Sequence, residues 1–251
     1  ASMIGAGCPR MVSRLPPPST ESEAELIAEA ERLLGQGEPL LAYNATDRGL
    51  QRWPGQTRLS QLQALALARS GDLERASAIL TTLTQSGVDD AETLGVLART
   101  HKDLGMRAGD PEQRAAHLES AFNLYQRAYA TSVALGASAS AYYTGINAAT
   151  VAVLRGEIDE ARRLSAEVRR ICEEVADRTR GSGGEYWRQA TLGEAALILG
   201  DAPAAARHYA DAMTLAPGRY GDLSTTRRQA RLLAAHLPVG DAWMADILRI
   251  P

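Results

Sequence analysis

The densest chemistry in the sequence is basic: Arg219, Arg227, Arg228 and Arg231 fall close together near the C-terminal end. Arg227 and Arg231 stand four apart and share a helical face, with Arg228 beside them. Clustered guanidinium groups suit an acidic peptide or a phosphate group. Pairing with Asp222 at the surface is the competing use. A second group is aromatic. Tyr142 and Tyr143 open one helical stretch, Asn147 follows one turn after Tyr143, and Tyr186 and Trp187 open another. Rings beside a groove can clasp a peptide, and an Asn amide can hydrogen-bond its backbone. The same rings can pack between neighbouring helices. That choice is open for Trp187, and packing takes one of the two tyrosines. The partner-binding candidates are Tyr143, Asn147, Tyr186, Trp187, Arg227, Arg228 and Arg231.

No catalytic constellation stands beside them. His101, His117, His208 and His236 never lie three or four residues apart, and Cys8 and Cys172 have no neighbour at metal-ligand spacing. Gly181-Ser182-Gly183-Gly184 lacks both a preceding strand and a following Lys-Ser/Thr, so it reads as an interhelical connection and not as a phosphate loop. Glu173-Glu174 and Asp89-Asp90 are adjacent pairs, whose side chains diverge on a helix and make poor acid/base partners. The sequence predicts no enzyme, no metal and no cofactor.

Composition narrows the class. Apolar residues make up 45%, but Ala and Leu dominate and there is a single Phe, which suits helices packed through small side chains. The formal net charge is −3 with both signs interspersed, which argues against nucleic acid or an anionic membrane as partner. No run approaches the ~18 apolar residues of a membrane span. Two cysteines cannot build a disulfide framework, which fits a reducing cytosol.

The elements that must position these residues repeat. Gly37, Gly71, Gly156 and Gly200 are each followed five residues later by an alanine, at 42, 76, 161 and 205, and preceded seven residues earlier by Ala30, Ala64, Ala149 or Gly193. Each glycine is a turn between two helices, and the small residues let the pair approach closely. A stretched fifth copy holds Leu94, Gly95 and Ala98, then Ala121, Tyr125 and Ala128, with residues 105–111 between them as a longer connection. The alanines after the turns are 34, 45, 40 and 44 residues apart. The first interval is the unit length of a tetratricopeptide repeat. The others need insertions near 105–111, 136–140 and 180–184. Pro54 and Pro217 close second helices.

This pattern predicts an all-α, right-handed superhelical solenoid of about six antiparallel helix pairs, twelve helices in all. Residues 1–18, ending in Leu-Pro-Pro-Pro, read as an extended arm. Residues 19–251 read as one domain, starting from a capping box at Thr20 and Glu23 and ending in capping helices over 222–248, the second opening at Asp241. In this register the concave side receives Glu92, Val96, Asn147, Trp187 and Thr191. These offer no cations for a clamp on a terminal carboxylate.

Three stretches go beyond the repeat: Tyr142 to Thr150, which holds Tyr143-Thr144-Gly145-Ile146-Asn147; Glu185-Tyr186-Trp187; and the arginine-rich 215–233. Together they resemble the TRAFs-binding domain family, which includes the central regulatory region of the apoptosis signal-regulating kinases and many bacterial proteins. The resemblance runs from about 60 to 236 and is strongest after 120. It implies a helical scaffold that binds a protein or peptide partner, or a neighbouring domain of its own chain. It does not imply the enzyme, because no kinase domain is present. The Ala- and Arg-rich composition points to a bacterial member. A solenoid that closes around a small effector or peptide, as a sensor, is the alternative reading.

Overall fold

Turn chemistry places the helices. This computed structural model describes residues 21–239 and 247–248. Twelve helices run through the described residues: α1 Glu23–Gln36, α2 Pro39–Arg52, α3 Thr57–Ser70, α4 Leu73–Gln85, α5 Ala91–Arg107, α6 Pro111–Ala134, α7 Ser138–Leu154, α8 Ile158–Glu174, α9 Ala176–Thr179, α10 Gly183–Leu199, α11 Ala202–Thr214 and α12 Tyr220–Ala234. Gly37, Gly71 and Gly200 cap α1, α3 and α10 in the left-handed region, and Gly156 takes a φ of 80° after α7. The paired small residues Ala30, Ala42, Ala64, Ala76, Ala149, Ala161 and Ala205 are all fully buried. At Gly193 the space is filled instead by Tyr209, whose ring would lie 2.9 Å from an added Cβ.

Several expected boundaries move. The first capping box is Ser22 with Glu25: the Ser22 amide donates to Glu25 Oε2 at 2.7 Å and the Glu25 amide to Ser22 Oγ at 3.3 Å. Thr20, on which the expected box rests, lies outside the described residues. Residues 105–107 are not a connection. α5 continues through Gly105 because the bare Cα there lets His117 and Leu118 of α6 pack close, with an added Cβ only 3.2 Å from each. The extra length goes into α6, at 24 residues, which Asp110 caps and Pro111 opens. Tyr142 and Tyr143 lie a full turn inside α7, and Gly183 and Gly184 already belong to α10. α9 is a single turn in the connection to α10. The expected arm over 1–18 and most of the helix from Asp241 to Leu248 fall outside the described residues; Leu248 itself is buried in the main core.

Five antiparallel pairs follow, α1/α2, α3/α4, α5/α6, α7/α8 and α10/α11, with α12 last. The first helices form an inner layer in which α1 touches α3, α3 touches α5, α5 touches α7, α7 touches α10 and α10 touches α12. The second helices form the outer layer. The inner layer also returns to its start, because α12 packs against α1. At that seam an added Cβ on Gly221 would lie 2.8 Å from both the Gly37 nitrogen and the Leu34 carbonyl oxygen. Arg69 Nη1 donates to the same Leu34 carbonyl at 2.5 Å.

Candidate functional site

A closed inner layer encloses space. A cavity of about 500 Å³ lies inside it, lined by α3, α5, α7, α10 and α12 and by no residue of an outer helix. This volume falls in the range of small-molecule sites, roughly 300–1,000 Å³. Glu92, Val96, Asn147, Trp187 and Thr191, which the repeat register assigns to the concave side, all line it. The cations that this register lacked come from other positions. Arg69, Arg99, Lys102 and Arg228 also line the cavity, so the absence of a basic wall is corrected. Arg99 and Lys102 stand beyond Val96 on α5, Arg69 lies on α3, for which the register names no residue, and Arg228 comes from the closing helix.

The aromatic residues divide. Both tyrosines line the cavity, but Tyr142 is 3% exposed and packs in the core, whereas Tyr143 is 38% exposed. Burial among its neighbours raises the Tyr143 phenol above its ordinary value. Asn147 lines the cavity while its amide nitrogen donates to the Tyr143 carbonyl at 2.8 Å, one turn back in α7. Trp187 does both jobs left open for it: it packs against the core and lines the cavity. Tyr186 stands behind the wall, 1% exposed, its hydroxyl 2.7 Å from Thr226 Oγ1 and its ring edge-on to Trp187 at 4.9 Å. Arg219 covers both rings, 4.6 Å from Tyr186 and 5.7 Å from Trp187, and pairs with the buried Asp222 at 2.9 Å.

The arginines of α12 divide as well. Arg228 lines the cavity and reaches Asp103 at 3.6 Å; Arg227 and Arg231 are not among its lining residues. Thr226, Arg228 and Gln229 face inward, so Arg227 and Arg231 share a face turned away from the cavity.

Two charged side chains that the sequence analysis did not single out are buried in the wall. Lys102 is 5% exposed and Glu194 8%. Lys102 donates to Gln229 Oε1 at 3.0 Å, and Gln229 Nε2 donates to Thr150 Oγ1 at 3.0 Å, which ties α12 to α5 and α7. Desolvation lowers Lys102 and raises Glu194, and each partly restores the other's charge. No signal in a single sequence marks this pair, because the two residues lie far apart in the chain. Cys172 is fully buried, with its thiol pushed up to about 12 by burial. Among the described residues no group of three or more His, Cys, Asp or Glu could hold a metal, and no helix is long and apolar enough to cross a membrane.

Residues 40–152 match the family model described as Tetratricopeptide Repeats-Sensor. A thermophilic TPR protein of Thermus thermophilus superposes with a TM-score of 0.63 at 21% identity, over 84% of this chain and 99% of that one. The fold of this chain is that of a tetratricopeptide-like repeat array. Proteins built from this repeat generally bind other proteins. A tetratricopeptide repeat protein from Parabacteroides merdae aligns over 90% of this chain and 97% of its own at 13% identity, but its TM-score of 0.33 bears on nothing further. A search of the curated proteins found no match.

Proposed function

We propose that this repeat protein is a non-enzymatic sensing module: its inner helices close around a small effector or the end of a short peptide, and occupancy is passed to a partner protein or a neighbouring domain. The observation that carries this reading is the closed circuit from α1 to α12 around a cavity with Lys102 and Glu194 buried in its wall. An open groove holds an extended chain through many modest contacts, whereas a closed cavity holds a compact ligand and couples its binding to the seam. The name of the matched family model supports sensing. The likeness of Tyr143 to Asn147 and of Tyr186-Trp187 to the TRAFs-binding domain family supports a signalling setting, and the composition a bacterial, cytoplasmic one.

Thermal denaturation beside the small-molecule fraction of a cell extract tests it, because a ligand that binds only the folded state raises the melting temperature. A shift that Arg99→Gln abolishes is expected. No shift with any fraction refutes the sensing reading. The second reading, a protein scaffold, is favoured by Leu40 and Leu41 on the outer helix α2, which are 69% and 51% exposed. A partner captured by the wild type and lost with Leu40→Glu, without any ligand effect, establishes that reading instead.

A further inference from the structure

The cavity wall is unevenly charged. Arg69, Arg99 and Arg228 influence one another on one side: burial first, then Arg99, lowers Arg69 to about 10, and Arg228 adds to this. The carboxylates nearby are committed. Glu92 is held by Arg58 at 3.0 Å, and Asp103 is shared between Arg228 at 3.6 Å and Arg99 at 4.0 Å. Arg69 Nε is buried with no acceptor among the described residues. Asp222 also acts on Arg69 but is held by Arg219 at 2.9 Å, so the three guanidinium groups share little free negative charge; that deficit is costly for Arg69 and Arg99, which are largely buried, and less so for Arg228, which is 61% exposed.

Glu194 presents the opposite need. It lines the same cavity and is 8% exposed, yet its Oε2 finds no hydrogen-bond donor among the described residues. Lys102 attracts the carboxylate and the Gln229 side chain hydrogen-bonds to it, but neither supplies a donor to Oε2. A buried carboxylate oxygen without a donor is as unfavourable as a buried guanidinium without an acceptor.

We propose that the cavity takes a small zwitterion, with its anionic group on Arg69, Arg99 and Arg228, its ammonium group on Glu194, and its apolar middle against Val96, Ile146 and Trp187. This rests on the reading of the cavity as a ligand site. An anion alone leaves Glu194 Oε2 without a donor, and an amine alone leaves Arg69 Nε without an acceptor and Asp103 as the one carboxylate shared by Arg99 and Arg228. The volume of about 500 Å³ exceeds what a single small amino acid fills and suits a compound of dipeptide size.

The test is calorimetry and thermal shift with free dipeptides, their N-acetylated and C-amidated counterparts, and phosphoethanolamine beside glycerol phosphate. The carboxylate and phosphate arms tell which anion the arginines prefer. At least one zwitterion is expected to bind, and blocking either end to weaken it tenfold or more. Arg99→Gln is expected to weaken every anionic compound. Glu194→Gln is expected to weaken the free-amine compound tenfold and to leave its N-acetylated counterpart unchanged; Glu194→Asp, which withdraws the carboxylate, gives the same test if the glutamine variant does not fold. Equal binding of N-acetylated and free forms, or of glycerol phosphate and phosphoethanolamine, overturns the proposal. So does a ligand recovered from cell extract that mass spectrometry shows to lack an amine. No binding by any small molecule, in the panel or the extract, removes the ligand reading itself.

Discussion

Gly37 and Gly221 meet backbone to backbone at the seam where the last helix returns to the first, and a methyl group on Gly221 would sit 2.8 Å from the Gly37 nitrogen. Gly221 lies in the first turn of α12, where alanine gains at most ~1 kcal/mol of helix propensity. The clash is with main-chain atoms, which cannot rotate away, so the steric term wins. Gly221→Ala is expected to cost about 1–3 kcal/mol in urea unfolding. Small-angle scattering of the folded variant should show a larger radius of gyration as the seam opens. An unchanged radius together with unchanged stability would show that the seam does not constrain the array.

Two helix glycines should respond in opposite directions. At Gly193 an added Cβ would meet the Tyr209 ring at 2.9 Å, and that ring is fully buried and cannot retreat. Gly193→Ala is expected to lose about 1–3 kcal/mol. At Gly95 the nearest atom is Tyr143 Cε1 at 3.6 Å, an ordinary contact. Gly95→Ala should therefore gain about 0.5–1 kcal/mol from propensity. Denaturant midpoints with unchanged slopes check both, and equal signs would contradict the packing described.

His101 and His117 face each other across α5 and α6 with their Nδ1 atoms 3.1 Å apart. Burial first, then the second imidazole, lowers His101 below its usual value of 6.5. The unfolded chain then binds a proton at His101 before the folded one does, so stability rises with pH in this window. The contribution is complete above about 6.5 and is lost as pH falls below that value towards the lower folded one. Unfolding free energies across this range should fall more steeply for the wild type than for His101→Gln. Parallel curves would count against the pairing.

Cys172 is fully buried and its thiol is pushed up to about 12. In a Cys8→Ser variant, which leaves it as the single thiol, an aromatic disulfide reagent at pH 8 should react only as fast as the protein opens. Burst-phase labelling of the folded protein would contradict that burial.

Much of the repeat is legible because its punctuation is local. A glycine at positive φ after a helix, with an alanine five residues on, depends on nothing distant, and Gly37, Gly71, Gly156 and Gly200 behave as read. The Ser22 cap, the continuation of α5 past Gly105 and the length of α6 depart from the reading. At Gly105 a packing contact with His117 and Leu118 overrides a residue that usually breaks helices. In the cavity, Asn147 and Trp187 are accessible through the register, whereas Arg69, Arg99, Lys102 and Glu194 are not. Their meeting depends on the angle accumulated from one helix pair to the next, which no short window encodes. Closure at Gly221 is the sum of those angles and is equally hidden.

The seam also bears on how such a chain can change over evolution. An open solenoid tolerates one pair more or fewer, since each repeat touches only its neighbours. Here a duplicated pair would carry α12 past α1, so closure fixes the copy number. Length is free to vary in the outer layer, where α6 already runs to 24 residues against 13 in α4 and α11. Insertions should therefore accumulate on the rim, with the inner circumference held constant.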